Sequence, residues 1–137
     1  MLYYRFVRRW SLLTACVLIF GGCRPSDRAE VAGLATLDGK PLPTGLVTFR
    51  PAPGTLGPEF SGRIADGQYR VLMPVLPGNY VVDVRSWQKT GRTVKSPFGQ
   101  DTDEIVNAVP ERYFGPKTEL SAQLHIGQNK LDFDLAP

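Results

Sequence analysis

Few residues in this chain could support acid–base, nucleophilic or metal chemistry, and they are widely spaced. The 137 residues include one histidine, His125, and two cysteines. His125 alternates with apolar residues onto the polar side of a predicted strand, so we expect it at the surface. Because no two carboxylates are spaced as an acid–base pair, we predict no catalytic residues. Five aspartates fall in predicted turns or on outward strand positions, where carboxylates are ordinarily solvated: Asp38, Asp66, Asp83, Asp132 and Asp134.

Metal-binding and nucleophile motifs are equally weak. The carboxylates of "DTDE" (Asp101, Asp103 and Glu104) could coordinate calcium, but the segment lacks the glycine and the spaced glutamate of an EF-hand loop. A zinc site needs more histidine and cysteine ligands than the chain offers. There is no G-x-S-x-G motif to place a nucleophilic serine at a strand-to-helix turn. We therefore expect a solvated acidic loop, no metal, no cofactor and no enzyme activity.

The first 22 residues have the layout of a secretory signal peptide. Three arginines come first, an apolar stretch from Leu12 to Phe20 follows, and two glycines precede Cys23. As a helix, residues 11–22 would extend about 18 Å, which is short of a hydrocarbon core of about 30 Å. We therefore predict that residues 1–22 form a signal helix that is removed, rather than a membrane span.

Removal of the leader would take Cys16 away and leave Cys23 without an intramolecular disulfide partner. The surroundings of Cys23 resemble a bacterial lipoprotein lipobox, in which small residues precede a cysteine that is acylated and becomes the new N-terminus. The two glycines fit this pattern, whereas Phe20 replaces its usual aliphatic residue. The resemblance implies lipidation of Cys23, a tether over residues 23–29 and the membrane as a partner. Two or more acyl chains give stable attachment.

Length and charge limit the remaining possibilities. After the leader the chain has room for one domain of common size. The net charge of +3 comes from 16 Lys and Arg against 13 Asp and Glu, and three of the arginines lie in the leader, which leaves 13 of each sign from Cys23 onward. No run rich in lysine and arginine follows, so the electrostatic footprint of nucleic-acid binding is missing. We predict one neutral domain that does not bind nucleic acid.

Residues 30–137 consist of short segments in which apolar and polar residues alternate, as in strands with one buried face. The first of seven predicted strands, Val31 to Leu37, is apolar on both faces. The residues expected to face inward on the other six are Val47, Phe49, Phe60, Ile64, Tyr69, Val71, Met73, Tyr80, Val82, Val84, Leu120, Ala122, Leu124, Ile126, Leu131, Phe133 and Leu135.

Turn residues separate the predicted strands. Asp38-Gly39 and Asp66-Gly67 supply the positive φ that tight turns need, and Gly127 to Asn129 can close a third hairpin. Strands with one apolar face bury those faces most simply in two packed sheets. We therefore predict an all-β fold, a small seven-stranded antiparallel β-sandwich over residues 30–137.

Several segments carry a family resemblance: "VAGLATLDGKPLPTGLVTFRP", "GRIADGQYRV", "LPGNYVVDVRS", "VPERYFGPKTELSAQL" and "GQNKLDFDL". They cover nearly all of residues 29–135. Together they resemble the small secreted lipoproteins of planctomycete-type bacteria that contain a carboxypeptidase-regulatory-like domain. The resemblance implies a transthyretin (prealbumin)-like or Ig-like sandwich, a docking role for Tyr113 and a non-catalytic accessory module of the cell envelope.

Residues 87–119 form the longest segment without a predicted strand. Connections longer than about 12 to 15 residues usually bind something or are disordered. Aromatic residues on such a loop either pack against the end of the domain or contact a partner. For Trp87 and Phe114 the sequence leaves both roles open, whereas the resemblance favours packing for Tyr113.

Together these features predict a non-catalytic lipoprotein of the cell envelope, a membrane-anchored β-sandwich that acts as a structural or accessory binding module. The alternative is a carbohydrate- or peptide-recognition module in which aromatic residues of the 87–119 segment bind an envelope protein or glycan. Arg24 stands where some bacteria place an aspartate that retains lipoproteins in the inner membrane. The absence of that aspartate favours the outer membrane, and we expect the domain at the outer membrane or the periplasmic face rather than in the cytoplasm.

Overall fold

A computed structural model describes residues 28–72 and 75–137, and these residues form an all-β fold. The predicted signal helix, Cys23 and most of the tether fall in the first 27 residues, outside the described part of the chain. The predicted inward position of Met73 also falls outside it. No helix among the described residues is long and apolar enough to cross a membrane.

Eleven strands and one turn of 3-10 helix make up the secondary structure of the described residues. They are β1 (Ala29–Leu37), β2 (Lys40–Pro41), β3 (Thr44–Pro51), β4 (Phe60–Ala65), β5 (Gln68–Arg70), β6 (Gly78–Arg85), β7 (Trp87–Lys95), β8 (Asp101–Asn107), the 3-10 helix (Glu111–Tyr113), β9 (Ser121–Leu124), β10 (Gly127–Lys130) and β11 (Phe133–Leu135). The predicted number of seven is too low. Strand β10 occupies the predicted turn at Gly127 to Asn129, and β11 is the end of the last predicted strand. Strand β2 is a short addition, and β7 and β8 occupy part of the expected loop.

The main sheet curls back on itself. Its strand order is β10-β1-β5-β4-β3-β6-β9, and β2 and β11 also pair with β1. Strands β9 and β10 stand at opposite ends of this order, yet only His125 and Ile126 separate them along the chain. A link of that length spans at most about 10 Å. The sheet must therefore curl until its two edges come close at this point.

The expected all-antiparallel pairing is wrong at one edge. Strand β1 pairs in parallel with β10 and with β11, whereas the other pairings of the main sheet are antiparallel. The predicted hairpin at Gly127 to Asn129 is wrong for the same reason, because β9 and β10 pair with different strands. The Asn129 side chain shapes this turn by accepting from the His125 N–H at 2.9 Å and donating to the His125 carbonyl at 2.8 Å.

The two Asp-Gly turns are confirmed. Asp38 and Gly39 have φ of 53° and 68°, and Asp66 and Gly67 have φ of 49° and 78°. Successive positive φ values are typical of the tight turns whose twist matches that of flanking antiparallel strands. The first turn joins β1 to β2, and the second joins β4 to β5.

The core lies inside the curl and is built around aromatic rings. Phe49 stacks on Phe60 with ring centroids 4.9 Å apart, and Tyr80 meets Phe60 edge-on at 5.1 Å. Tyr69 and Phe133 stack at 6.1 Å, and their ring centroids lie 6.3 and 6.4 Å from that of Phe49. Among the described residues, the predicted inward positions are buried or half-buried, except that Ile126 is 59% exposed. That prediction is wrong because β9 ends at Leu124 and Ile126 lies in the turn before β10.

Candidate functional site

Strands β7 and β8 form a separate two-stranded antiparallel sheet, which we call the arm (residues 87–107). All nine residues of β7 are exposed, as are most of β8. The prediction of a long loop over residues 87–119 is therefore wrong for the arm and holds only for the remainder. Alternation of apolar and polar residues marks a strand when one face is buried. Both faces of the arm meet solvent, so that pattern is absent.

Ion pairs cross between the two strands of the arm. Lys89 Nζ lies 2.6 Å from Asp103, and Lys95 Nζ lies 2.6 Å from Asp101. The hydrogen bond and the negative charge of Asp103 raise the pKa of Lys89. Exposed ion pairs of this kind contribute little stability individually, and an isolated hairpin is marginal in water. The arm is thus held in shape weakly and buries little of itself.

The acidic "DTDE" motif lies on strand β8, and not in a loop as predicted. Asp101 and Asp103 pair with lysines on one face of the arm, while Glu104 points to the other face and accepts a hydrogen bond from the Thr90 hydroxyl at 2.5 Å. Adjacent residues of a strand point to opposite faces, so Glu104 does not join Asp101 and Asp103 on one side of β8. No cluster of three or more His, Cys, Asp or Glu suited to a metal occurs among the residues that the structure describes.

The arm exposes an unusual amount of apolar surface for its size. Phe98 at the tip is 90% exposed and Ile105 is 58% exposed. Three further apolar side chains are at least two-fifths exposed: Trp87, Val94 and Val106. Neither arm strand pairs with another strand in the described part of the chain, so both outer edges offer free backbone N–H and C=O groups. Free edges of this kind are the usual template for pairing with a strand of another chain.

The base of the arm is fastened to the body. Ser86 is fully buried and donates its hydroxyl to the Thr44 carbonyl at 2.6 Å. The Asn107 side-chain oxygen accepts from the N–H groups of Ser86 at 3.0 Å and Val109 at 3.2 Å. The Asn107 amide nitrogen is buried and has no hydrogen-bond partner among the described residues. The direction in which the arm leaves the domain is therefore set by buried contacts.

Asp83 is buried, which corrects the expectation of a solvated carboxylate. Only 4% of the residue is exposed. Arg85 Nε donates to Asp83 Oδ1 at 3.0 Å, and the Gly115 N–H donates to Oδ2 at 2.7 Å. Arg50 donates to the Gly115 carbonyl at 2.7 Å and lies 3.9 Å from Oδ2. A buried charge needs such partners. We call Asp83 with Arg50, Arg85 and Gly115 the latch.

The latch fixes the backbone next to Phe114, because Arg50 of β3 and Asp83 of β6 both bind Gly115. The Phe114 ring is half-buried, packs against the core and lies 5.3 Å below the Arg85 guanidinium. Trp87, by contrast, stands on the exposed arm with 44% of its surface accessible. Of the two candidate contact residues, Trp87 is therefore the more exposed, and Phe114 is partly covered by the core and by Arg85.

Tyr113 packs where the family resemblance leads us to expect a docking residue. Its ring is partly buried against the core, and its hydroxyl accepts from the Ala136 N–H at 3.1 Å. Arg112 lies 4.8 Å above the ring and also donates to the Ala136 carbonyl. The hydrogen bond with Arg112, followed by that with Ala136, lowers the pKa of Tyr113. Arg112 and Tyr113 thus tie the 3-10 helix to Ala136 near the C-terminus. His125 is exposed, as predicted.

A shallow groove between β1, β4 and β5 has no counterpart in the sequence analysis. It encloses about 630 Å³ and is lined by small and apolar residues together with Arg63, Arg70 and Lys130. Arg63 and Arg70 are direct cross-strand partners. Tyr69 lines its floor and donates to the Leu131 carbonyl at 2.7 Å, and burial raises the pKa of this tyrosine. The groove depends on strand register, which the sequence alone does not give.

Replacing Asp83 with alanine is expected to release the segment held by the latch. The Gly115 N–H would lose a hydrogen bond to a charged group, and such bonds contribute about 1.5 to 3 kcal/mol. The Gly115 amide should then exchange with solvent at least about ten-fold faster, measured by hydrogen exchange with NMR detection. Asp134→Ala is the control, because Asp134 is exposed and accepts from a threonine hydroxyl only. An unchanged Gly115 exchange rate in the Asp83 variant would show that the latch does not hold this segment.

Shortening the arm is expected to leave the body as stable as before. Lys89 and Ile105 are cross-strand partners, so an Asn-Gly turn can join them in place of residues 90–104. No buried residue lies in the removed segment. The free energy of unfolding should change by less than about 1 kcal/mol in a urea titration. A loss of several kcal/mol would instead mean that the arm supports the core.

Comparisons with known proteins assign no family. No protein-family model and no curated protein sequence matches the chain. It is similar to a solved structure, the crystal structure of a 9R-lipoxygenase from Cyanothece PCC8801, at 14% sequence identity and a TM-score of 0.35. The match covers 83% of this chain but only 17% of the lipoxygenase chain. So weak a likeness carries no conclusion about activity, and the function is inferred from the chain's own residues.

Proposed function

We propose that this chain is a non-catalytic accessory module of the bacterial cell envelope, anchored to the membrane by acyl groups on Cys23. The proposal rests on the signal-peptide layout of residues 1–22, on the lipobox-like glycines before Cys23 and on the family resemblance over residues 29–135. The outer membrane or the periplasmic face is the expected location. The membrane is thus the first partner of the protein.

The body of this module is a small β-sandwich of the transthyretin-like kind. The curled sheet supports this proposal because its inner faces enclose one aromatic core, with Phe49 at the centre and four rings from four other strands around it. Two layers of strands packed on a shared core are the essential feature of a sandwich. The body serves as a scaffold that positions the arm.

The exposed arm is the observation that carries a recognition function. A two-stranded ribbon gains little stability by itself, yet this one presents apolar side chains and two free edges to solvent. Recognition of an extended segment of another protein by strand addition would use the free edges for backbone hydrogen bonds and the apolar side chains for specificity. We therefore assign the arm as the surface that binds an envelope protein.

Glycan binding is the alternative, and the half-exposed ring of Trp87 is the feature that favours it. A sugar-binding platform usually needs neighbouring rings. Trp87 begins β7 and Phe98 lies beyond its end, so the two rings are separated by roughly 25 Å of strand. That spacing suits an extended polypeptide better than a single sugar face.

The absence of catalysis in this proposal has support in the buried polar groups. Asp83 has both carboxylate oxygens engaged by arginine or backbone donors. Tyr69 donates its hydroxyl proton to a backbone carbonyl. Neither group is placed to exchange a proton with a bound substrate. The described residues thus use their buried polar side chains to hold the fold together.

Site-specific photo-cross-linking tests the recognition function. A benzoylphenylalanine residue is placed at Ile105 or at Phe98 of the arm, and cells are irradiated with the native envelope intact. Both positions are expected to yield one cross-linked protein of the same mass. Ser61, an exposed residue on the outer face of β4, is the control position and should not yield it. The labelled proteins are expressed in cells whose own copy is the variant with the shortened arm, so that no unlabelled arm competes for the partner.

Two outcomes would contradict this function. Cross-links of equal yield from Ser61 and from the arm would mean that contact is non-specific. No cross-linked protein from either arm position would remove the arm as a protein-binding surface. Binding of the purified protein to envelope glycan that is lost in Trp87→Ala, while arm cross-links are absent, would favour the glycan alternative.

A further inference from the structure

Strand directions define two opposite ends of the body. Strand β1 starts at Ala29, where the tether joins, and ends at Leu37, so these residues lie about 26 Å apart. We call the end marked by Ala29 the tether end. The arm leaves from the opposite end, because β6 runs from Gly78 near the tether end to Arg85, and Trp87 follows.

Three strongly exposed apolar side chains lie at the tether end. Leu72 is 92% exposed, Leu56 is 81% exposed and Ile126 is 59% exposed. Ile126 directly precedes Gly127, the partner of Ala29 in the sheet.

The other two side chains reach the same end through their own neighbours. Leu72 follows Val71, whose N–H donates to the Val31 carbonyl near the start of β1. Leu56 lies in the loop between β3 and β4, next to Thr55, whose hydroxyl accepts from the Asn79 N–H at the start of β6. All three residues therefore lie at the tether end of the body.

Exposed apolar side chains are segregated in this molecule. The described residues include nine large hydrophobic residues with high exposure: five belong to the arm, three to the tether end, and the ninth, Leu34, lines the groove, which Leu72 of the tether end also lines. Single exposed apolar residues need no explanation, but clusters usually mark an interaction surface. The tether end is thus a second surface, distinct from the arm.

The membrane is the occupant that fits this surface. Six residue steps separate Cys23 from Ala29, and such a chain reaches at most about 20 Å. An acylated Cys23 would therefore keep the tether end next to the bilayer. The charged residues near this end are mixed in sign, with Arg28 and Arg70 against Glu30 and Glu59, so apolar contact rather than charge has to orient the domain.

We propose that the tether end rests on the bilayer, with Leu56, Leu72 and Ile126 inserted at the boundary between headgroups and acyl chains. Side chains at that boundary lie about 5 to 10 Å deep. The arm then points away from the membrane, toward partners in the aqueous compartment. This inference rests on the proposed acylation of Cys23.

Fluorescent labelling at single cysteines tests the orientation. The acylated protein is purified from envelopes and has no free thiol, because Cys16 leaves with the leader. Leu56→Cys, Leu72→Cys and Ile126→Cys variants are labelled with an environment-sensitive fluorophore and reconstituted in phosphatidylcholine vesicles that contain spin-labelled phosphatidylcholine. Phe98→Cys is the matched control, since Phe98 is 90% exposed on the arm tip. All four positions are exposed, so the substitutions leave the core intact.

Labels at the three tether-end positions are expected to shift to shorter emission wavelengths and to be quenched by the spin-labelled lipid, because they would lie at the headgroup and acyl-chain boundary. The label at position 98 should keep its aqueous emission. Equal, solvent-like emission from all four positions in protein whose acylation is verified by mass spectrometry would overturn the orientation. Free Cys23 thiol in the same mass spectrum would instead overturn the anchor, so the two failures are distinguishable.

Discussion

Replacing Phe49 with alanine is expected to lower the free energy of unfolding by about 3 to 5 kcal/mol, the range for large aromatic truncations in a core. Phe49 is fully buried. Its ring stacks on Phe60 at 4.9 Å and lies within 6.5 Å of the rings of Tyr69, Tyr80 and Phe133. Removing it leaves a cavity that all four rings line. Since small domains are stable by only about 5 to 15 kcal/mol, this one change could unfold much of the protein.

Phe98→Ala is the matched control for that measurement, because it removes the same side chain from a position that is 90% exposed. A change within about 0.5 kcal/mol is expected. Urea titrations of both variants, followed by circular dichroism, give the comparison. Equal losses in the two variants would contradict the assignment of Phe49 to the core and Phe98 to a free surface.

Replacing Cys23 with serine is expected to remove the protein from the membrane fraction almost completely. Each buried methylene of an acyl chain contributes about 0.8 kcal/mol, so two or more chains make release negligible and their loss decisive. In a host with the lipidation pathway, the unaltered protein should enter the detergent-rich phase of a temperature-induced phase separation. The Cys23→Ser protein should enter the aqueous phase or remain as an uncut precursor.

Cys16→Ser is the control for the anchor, since Cys16 lies in the apolar stretch of the leader. Its mature protein should be identical to the unaltered one and should partition in the same way. A Cys23→Ser protein that is cut and enters the detergent phase as before would rule out attachment at Cys23.

Strands of the body could be predicted from the sequence because each buries one face. The alternation over Val47 and Phe49, and over Tyr80, Val82 and Val84, results from the burial of one face of the strand. The arm escaped prediction because neither of its faces is buried. The same reasoning explains Ile126: alternation continues in the sequence after β9, but the strand has already ended at Leu124.

Long-range pairing accounts for the other differences between sequence and structure. The parallel contact of β1 with β10 and β11 joins residues about 100 positions apart, and nothing local specifies it. Asp83 is an outward residue on its strand, as its position predicts, yet residues 114 and 115 cover it. The groove and the tether end likewise depend on which strands become neighbours.

The candidate site was likewise predictable only where local sequence decides the structure. Trp87 and Phe114 could be singled out as aromatic residues of one long segment, but the sequence could not distinguish their roles. They differ in the structure, because Phe114 packs against the core beside the Arg85 guanidinium, while Trp87 begins the arm, in which every residue of β7 is exposed. Cys23 remains a prediction from sequence alone.

Membrane attachment at Cys23 underlies both the proposed function and the orientation of the domain, and mass spectrometry of the protein purified from its native envelope tests it most directly. The expected result is an N-terminal peptide that begins at Cys23 and carries the added mass of two or three acyl chains. A peptide that continues through Gly22 into an unmodified Cys23, or a mature N-terminus beyond residue 23, would contradict the anchor.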